Sequence, residues 1–122
     1  LMHDLSDVCN VISSEGYKMH LETSGGYPLT GDWDWITLSP KKIRPPLSKI
    51  YSLASELKVV IYNQNDFKWA LEQEKRVGRS CLLYMQPEWS KIEIMQSDII
   101  EFISRHPRWR LSLQTHKYLN IK

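Results

Sequence analysis

The sequence is poor in the residues and segments that several large classes of protein require. Its 122 residues include only two cysteines, Cys9 and Cys81, which lie too far apart for a metal knuckle or a redox pair. We expect both to be buried and to act as small apolar residues. No apolar run approaches the roughly 20 residues that span a bilayer, and no signal peptide opens the chain. We therefore expect a cytoplasmic protein without a membrane partner.

The net charge is small, and short functional motifs are few. The net charge of +2 is too small to indicate direct nucleic-acid binding, although the basic stretches at 41–44 and 108–110 keep polyanion binding as a weaker alternative. The four histidines show no metal-binding spacing. The sequence contains no glycine-rich phosphate loop and no nucleophile elbow, so the common phosphate-binding and serine-hydrolase motifs are excluded.

The apolar patterns that are present alternate between strands and helices. Strands are predicted in YKMHLET, DWITL, ELKVVIY, SCLLYMQ and RLSLQ, because these runs are rich in β-branched and aromatic residues and are bounded by turn signals. Helical periods separate the later strands, with starts predicted near Ser48 and Asn65 or Asp66 and an end before Pro107. This order predicts one α/β domain over residues 1–122 with a mostly parallel sheet.

The first residues follow a helical period. Leu1, Leu5, Val8 and Ile12 recur at spacings of four, three and four, and no capping residue precedes them. We expect a helix here that begins inside a longer element, so that an N-terminal part is missing. In that case residues 18–23 would form an uncovered edge strand, which favours dimerisation or aggregation.

Polar clusters follow four of the predicted strands. In parallel sheets and barrels the carboxyl ends of the strands meet at one rim, where ligands bind. Each cluster alone also fits an ordinary turn or a solvated loop. Together they predict a ligand-binding rim. The clusters are Glu22-Thr23-Ser24-Gly25, Ser39-Pro40-Lys41, Gln86-Pro87-Glu88 and Gln114-Thr115-His116-Lys117.

The succession HLETSGGYP, DWITLSPKK, ELKVVIY, LLYMQPEW and HPRWRLSLQTHKYLNIK resembles the C-terminal part of the 7-carboxy-7-deazaguanine synthase family. The resemblance implies the C-terminal portion of a modified, partial (βα) barrel of the radical S-adenosylmethionine type. It also implies S-adenosylmethionine, a [4Fe-4S] cluster and Mg²⁺ as cofactors. The implied reaction is a lyase step of 7-deazapurine (queuosine-type) biosynthesis, which supplies tRNA modification. It converts 6-carboxy-tetrahydropterin to 7-carboxy-7-deazaguanine and releases ammonia.

Functional residues of the family carry over by position. Glu22 and Thr23 match the family's strand-end motif and are expected to line the substrate cavity, with Gln114 and His116 as further candidates. The C-terminal residue, here Lys122, is expected to reach the substrate through its terminal carboxylate. The S-adenosylmethionine contacts are expected at Ser39, Pro40, Lys41, Gln86, Pro87, Glu88 and Trp89.

Other family motifs do not occur in this sequence. The three-cysteine cluster loop, the Gly-Gly-Glu-Pro stretch and the Mg²⁺ ligand are missing, so we expect no catalytic or metal-binding residue here and no turnover by this chain alone. The resemblance implies a pterin substrate, a homodimer and a reductant protein as partners. The alternative is a non-catalytic module that binds a nucleoside or assembles with another subunit.

Overall fold

The computed structural model describes residues 9–13, 19–29 and 33–112. These residues form six strands, three α-helices and one short 3₁₀-helix at Trp89–Lys91. The strands are β1 Cys9–Ser13, β2 Met19–Thr23, β3 Trp35–Leu38, β4 Glu56–Ile61, β5 Leu82–Pro87 and β6 Trp109–Leu111. The α-helices are α1 Ser48–Leu53, α2 Asn65–Glu74 and α3 Ile92–Arg105.

The strands form one sheet in the order β1-β2-β3-β4-β5-β6. Strands β2 to β6 are parallel, and β1 pairs antiparallel with β2. A helix follows β3, β4 and β5 in turn, as crossover connections between parallel strands require. The predicted α/β fold with a mostly parallel sheet is therefore confirmed.

The predicted opening helix is wrong where the structure describes it. Cys9–Ser13 is a strand, in which Val11 lies opposite Leu21 of β2. Val11 and Ile12 are β-branched and suit a strand, and the free edge of β2 offers unpaired backbone groups to them. The prediction that residues 18–23 form an uncovered edge is wrong for the same reason, because β1 covers β2. Residues 1–8 lie outside the described part.

One face of the sheet packs against the helices. Leu57, Val59 and Ile61 of β4 are fully buried, and they join a core that includes Ile50 of α1 and Ile99 of α3. The residues that alternate with them along β4 are only partly buried. The sheet therefore has a helix face and an opposite polar face, formed in its first strands by Glu22, Trp35, Thr37, Glu56 and Lys58.

Side-chain hydrogen bonds join α1 to α2 and join α2 to the start of the last strand. The Tyr51 hydroxyl of α1 donates to Oε1 of Gln73 in α2 at 2.5 Å. Glu74, at the end of α2, accepts from Nε1 of Trp109 at 2.9 Å and from Arg108 at 3.2 Å. Arg108 and Trp109 of the basic stretch at 108–110 therefore bind the end of α2.

Cys81 is buried, as the sequence predicts, and burial raises the pKa of its thiol to about 11. The side chain of Cys9 lies outside the described part. No helix in that part is long and apolar enough to cross a membrane.

Candidate functional site

The polar clusters after β2, β3 and β5 lie at the same edge of the sheet. Because these strands are parallel, they all end at this carboxyl edge, with the last residues Thr23, Leu38 and Pro87. Backbone bonds continue the ladder beyond the strands: Ser39 N donates to the Thr23 carbonyl at 2.8 Å, and Glu88 N donates to the Ile61 carbonyl at 2.9 Å. The predicted convergence is confirmed for these three clusters. The fourth cluster, which includes Gln114 and His116, lies outside the described residues, as does Lys122.

Two polar side chains at the carboxyl edge are buried. Ser39 is 6% exposed and Gln86 is 3% exposed. Within the described ranges, neither the Ser39 hydroxyl nor the Gln86 amide has a side-chain hydrogen-bond partner. Buried polar groups are costly unless they are paired, so such groups usually contact water or a ligand. Both groups can donate and accept hydrogen bonds, which suits a polar ligand with mixed chemistry.

The other predicted cofactor residues differ in their surroundings. Pro40 and Pro87 are buried, whereas Lys41 is exposed in a turn where its backbone bridges to Arg44. Glu88 is already engaged locally, because its carboxylate accepts from Ser90 N at 2.9 Å and from the Ser90 hydroxyl.

The carboxylate of Glu88 therefore caps the 3₁₀-helix. Trp89, the first residue of that helix, is 40% exposed beside the edge.

Glu22 and Thr23 are neighbours in β2 but point to opposite faces. Thr23 is 2% exposed on the helix face, and its Oγ1 accepts from Gly25 N at 3.0 Å. This bond stabilises the turn after β2. Glu22 lies on the polar face, where its Oε2 contacts Nζ of Lys58 at 2.9 Å. The structure thus separates two residues that the sequence placed together in one cavity.

Gly25 has a stricter role than the sequence indicated. Its φ of +77° is in the left-handed region, and a Cβ atom there would lie 2.7 Å from Leu38 Cδ1 and 2.9 Å from Pro46 Cβ. Only glycine allows the chain to turn this close to β3 and the proline loop. The Gly25 carbonyl also accepts from Leu47 N at 2.8 Å, which holds the start of α1 against the edge.

The polar face carries charged residues that the sequence reasoning missed. Lys58 and Glu56 interrupt the otherwise apolar strand β4, and this alternation was the available signal. Nε1 of Trp35 donates to Oε1 of Glu56 at 3.0 Å. A cavity of about 350 Å³ opens on this face and is lined by His20, Leu21, Glu22, Trp35, Thr37 and Glu56.

An ion pair ties the loops of the carboxyl edge together. Lys42, after β3, contacts Asp66 at the start of α2, and Asp66 also accepts from Tyr62 N at 2.7 Å and Asn63 N at 3.1 Å. Burial alone raises the pKa of the Asp66 carboxyl. The hydrogen bonds from Lys42 and the two backbone groups outweigh it, so the pKa lies below its usual value.

Clustered metal-ligating side chains are not found in the part of the chain that the structure describes. No group of three or more histidine, cysteine, aspartate or glutamate side chains in that part of the chain could hold a metal ion. The cluster motif is missing from the sequence itself. The carboxyl edge described above is a candidate site for an organic ligand.

Comparison with known proteins shows which family this chain resembles. The chain is 50% identical over 122 residues to a protein named 7-carboxy-7-deazaguanine synthase from Synechocystis sp., covering 100% of this chain. It is 48% identical over 121 residues to the protein of that name from Flavobacterium psychrophilum. The predicted resemblance to the 7-carboxy-7-deazaguanine synthase family is confirmed. No family model matches the chain.

The chain spans 58% of the length of these two synthases. Among solved structures it resembles the crystal structure of QueE from Escherichia coli, with a TM-score of 0.65 and 26% sequence identity. That match covers 78% of this chain and 44% of the QueE chain. The α/β architecture described above is therefore shared with QueE.

Proposed function

We propose that this chain forms the S-adenosylmethionine-binding edge of a 7-carboxy-7-deazaguanine synthase, a radical S-adenosylmethionine lyase. The proposed reaction converts 6-carboxy-tetrahydropterin to 7-carboxy-7-deazaguanine and releases ammonia, within queuosine-type biosynthesis. The whole-chain similarity to synthases supports the reaction. The observation that carries the binding proposal is the burial of Ser39 and Gln86, without partners in the described ranges, at the carboxyl edge of a parallel sheet.

The residues at this edge fit the proposed cofactor chemically. The Gln86 amide and the Ser39 hydroxyl can pair with the donors and acceptors of a nucleoside, and the exposed Lys41 suits an anionic group. Pro40 and Pro87 are buried and give the edge a rigid outline. When bound, S-adenosylmethionine supplies the radical that starts the rearrangement, and the protein side chains orient it and exclude water.

The described residues contain no group of three or more metal-ligating side chains that could hold the cluster, and the family's Mg²⁺ ligand does not occur in this sequence. In this proposal, other residues of the synthase hold both, and this chain is a single structural unit that is inactive alone. Substrate contacts are proposed at Glu22, Gln114, His116 and Lys122, but no longer at Thr23, which is buried on the helix face and bonded to Gly25 N. A second copy of the chain and a reductant protein are the proposed partners.

A non-catalytic module is the second candidate. It is favoured by the lack of a metal-ligating group in the described residues, since a nucleoside could still bind at the carboxyl edge. Anaerobic reconstitution of this chain with iron and sulfide separates the two roles. If this chain alone gained a brown chromophore, the cluster would be held here, contrary to the proposal.

Calorimetric titration of the chain with S-adenosylmethionine tests the proposed site. We expect Gln86→Leu to weaken binding at least about tenfold, because the variant removes the polar contacts while filling the same volume. Replacing a buried unpaired amide by an apolar group should not destabilise the fold.

The matched control is Gln64→Leu, because Gln64 is exposed and contacts Asp98 in the helix layer at 2.7 Å. It should bind like the unsubstituted chain. Equal affinities of the Gln86 variant and the unsubstituted chain, or no binding by either, would contradict the proposed site.

A further inference from the structure

An ion pair on the polar face crosses the central part of the sheet. Nζ of Lys58 in β4 lies 2.9 Å from Oε2 of Glu22 in β2, although β3 runs between these strands. The two side chains are 19% and 31% exposed, respectively. Strands two positions apart are separated by about 10 Å, so only a long side chain makes this contact. The short side chain of Thr37 on β3 leaves room for it.

The register places Lys58 nearer to the carboxyl edge than the carboxylate it contacts. Glu22 pairs with Thr37, and Thr37 pairs with Glu56. Lys58 is two residues beyond Glu56 and pairs with Tyr84, whereas Gln86 lies two residues further along. Along the strand direction, Lys58 therefore lies between Glu22 and the buried Gln86 amide at the edge.

The carboxylates of Glu22 and Glu56 differ in how far their oxygens are already engaged within the protein. Oε1 of Glu56 accepts from the Trp35 indole, so that side chain is engaged within the protein. Glu22 contacts Lys58 through Oε2 alone, and its Oε1 has no partner in the described ranges. A carboxylate has about four acceptor sites, so Glu22 remains able to accept hydrogen bonds while it is paired with Lys58.

We propose that Lys58 is a positioning residue that orients the Glu22 carboxylate to accept from the N–H groups of a guanine-type heterocycle edge. The inference rests on the proposed function, since the 7-deazaguanine product presents a ring N–H beside an exocyclic amino group. Two adjacent donors match an acceptor-only carboxylate, and hydrogen bonds to a charged group are stronger than neutral ones.

A purely structural role for the pair is a weaker explanation of its placement. Partly exposed ion pairs add little to stability, and this one lies on the face that the helices leave uncovered. Lys58 also makes the contact across an intervening strand, although Glu56 on its own strand offers a nearer carboxylate along the chain. The arrangement keeps one charged acceptor oriented beside the cavity.

The test measures binding of 7-carboxy-7-deazaguanine and of S-adenosylmethionine to the chain and to Lys58→Met. We expect this variant to bind the product at least about tenfold more weakly, because an unpaired carboxylate no longer holds its orientation. Its affinity for S-adenosylmethionine and its thermal unfolding midpoint should stay unchanged. Lys58→Arg should restore product binding to within about threefold, since its guanidinium also pairs with carboxylates.

Lys68→Met is the matched control, because Lys68 is exposed on α2, and it should bind both ligands normally. The double variant that combines Glu22→Gln with Lys58→Met should bind the product no more weakly than Glu22→Gln alone. This is the result expected for two residues that act as a unit.

Each contrary result has a distinct meaning. Product binding that Lys58→Met leaves unchanged, or that falls equally with S-adenosylmethionine binding and thermal stability, overturns the positioning role alone. Binding of S-adenosylmethionine without any binding of the product overturns the role of Glu22 and Lys58 while the cofactor edge stands. Failure of the unsubstituted chain to bind either ligand overturns the proposed function together with this inference.

Discussion

The two faces of strand β4 carry different kinds of residues. Leu57, Val59 and Ile61 are fully buried under the helices, whereas Glu56 and Lys58, which alternate with them, are partly exposed and make polar contacts. Both sets belong to one six-residue strand. The period of two therefore divides the work of the strand: one face holds the fold together, and the other presents charges toward the cavity. Substitutions on the two faces should affect different measurements.

Leu57→Ala should give the largest loss of stability. Leu57 is fully buried in the core, so the truncation removes apolar burial and leaves a cavity that costs about 2–5 kcal/mol of unfolding free energy. Urea denaturation measures this. Leu82→Ala is the matched control on the polar face, where the residue is only partly buried, and it should lose clearly less. Equal losses at the two positions would remove the distinction between the faces.

Asp66→Ala should have the next largest effect, about 1–3 kcal/mol, because the backbone groups of Tyr62 and Asn63 would lose their acceptor. The pKa of the Asp66 carboxyl is lowered in the fold, so its contribution is fully present above the usual value of about 3.9. This contribution is lost as the pH falls through the lowered pKa.

The unfolding free energy of the variant and of the unsubstituted chain should therefore differ most near neutral pH and converge in acid. Asp98→Ala, which removes a carboxylate bound to the exposed Gln64, is the control and should cost less. A difference that does not change with pH would show that the Asp66 carboxylate is not selectively stabilised by folding.

Trp35→Phe should have the smallest effect of the three. The change removes the donor to Glu56 on the polar face and should cost about 0.5–1.5 kcal/mol. Tyr84→Phe on the same face removes a hydroxyl that has no hydrogen bond within the described ranges, and it should be nearly neutral. Denaturation curves of both variants check this order. A loss from Trp35→Phe as large as that from Leu57→Ala would show that the polar face also carries the fold.

Much of the fold could be predicted from local sequence. The run ELKVVIY is apolar and β-branched, and the structure has β4 at Glu56–Ile61 within it. The opening segment could not be resolved in this way, because Val11 and Ile12 fit a helical spacing as well as a strand. What decides their conformation is the free edge of β2, which is a long-range feature.

The candidate site was predictable only in part. Parallel strand order places Ser39 and Gln86 at one edge, and this follows from the pattern of strands and helices. The contact of Lys58 with Glu22 joins residues far apart in the sequence across an intervening strand. The carboxylate of Glu88 is used by Ser90 two residues away. Such directions of side chains depend on packing, which the order of residues alone does not show.

The most direct test of the account is to map S-adenosylmethionine binding by amide chemical-shift changes in the isotope-labelled chain. The comparison is between the carboxyl edge of the sheet and the helix layer. We predict the largest changes at the carboxyl edge, at Ser39, Lys41 and Gln86, with little change along α2 and α3. Changes concentrated in the helix layer, or no saturable change at any residue, would contradict the claim that this edge of the sheet binds the cofactor.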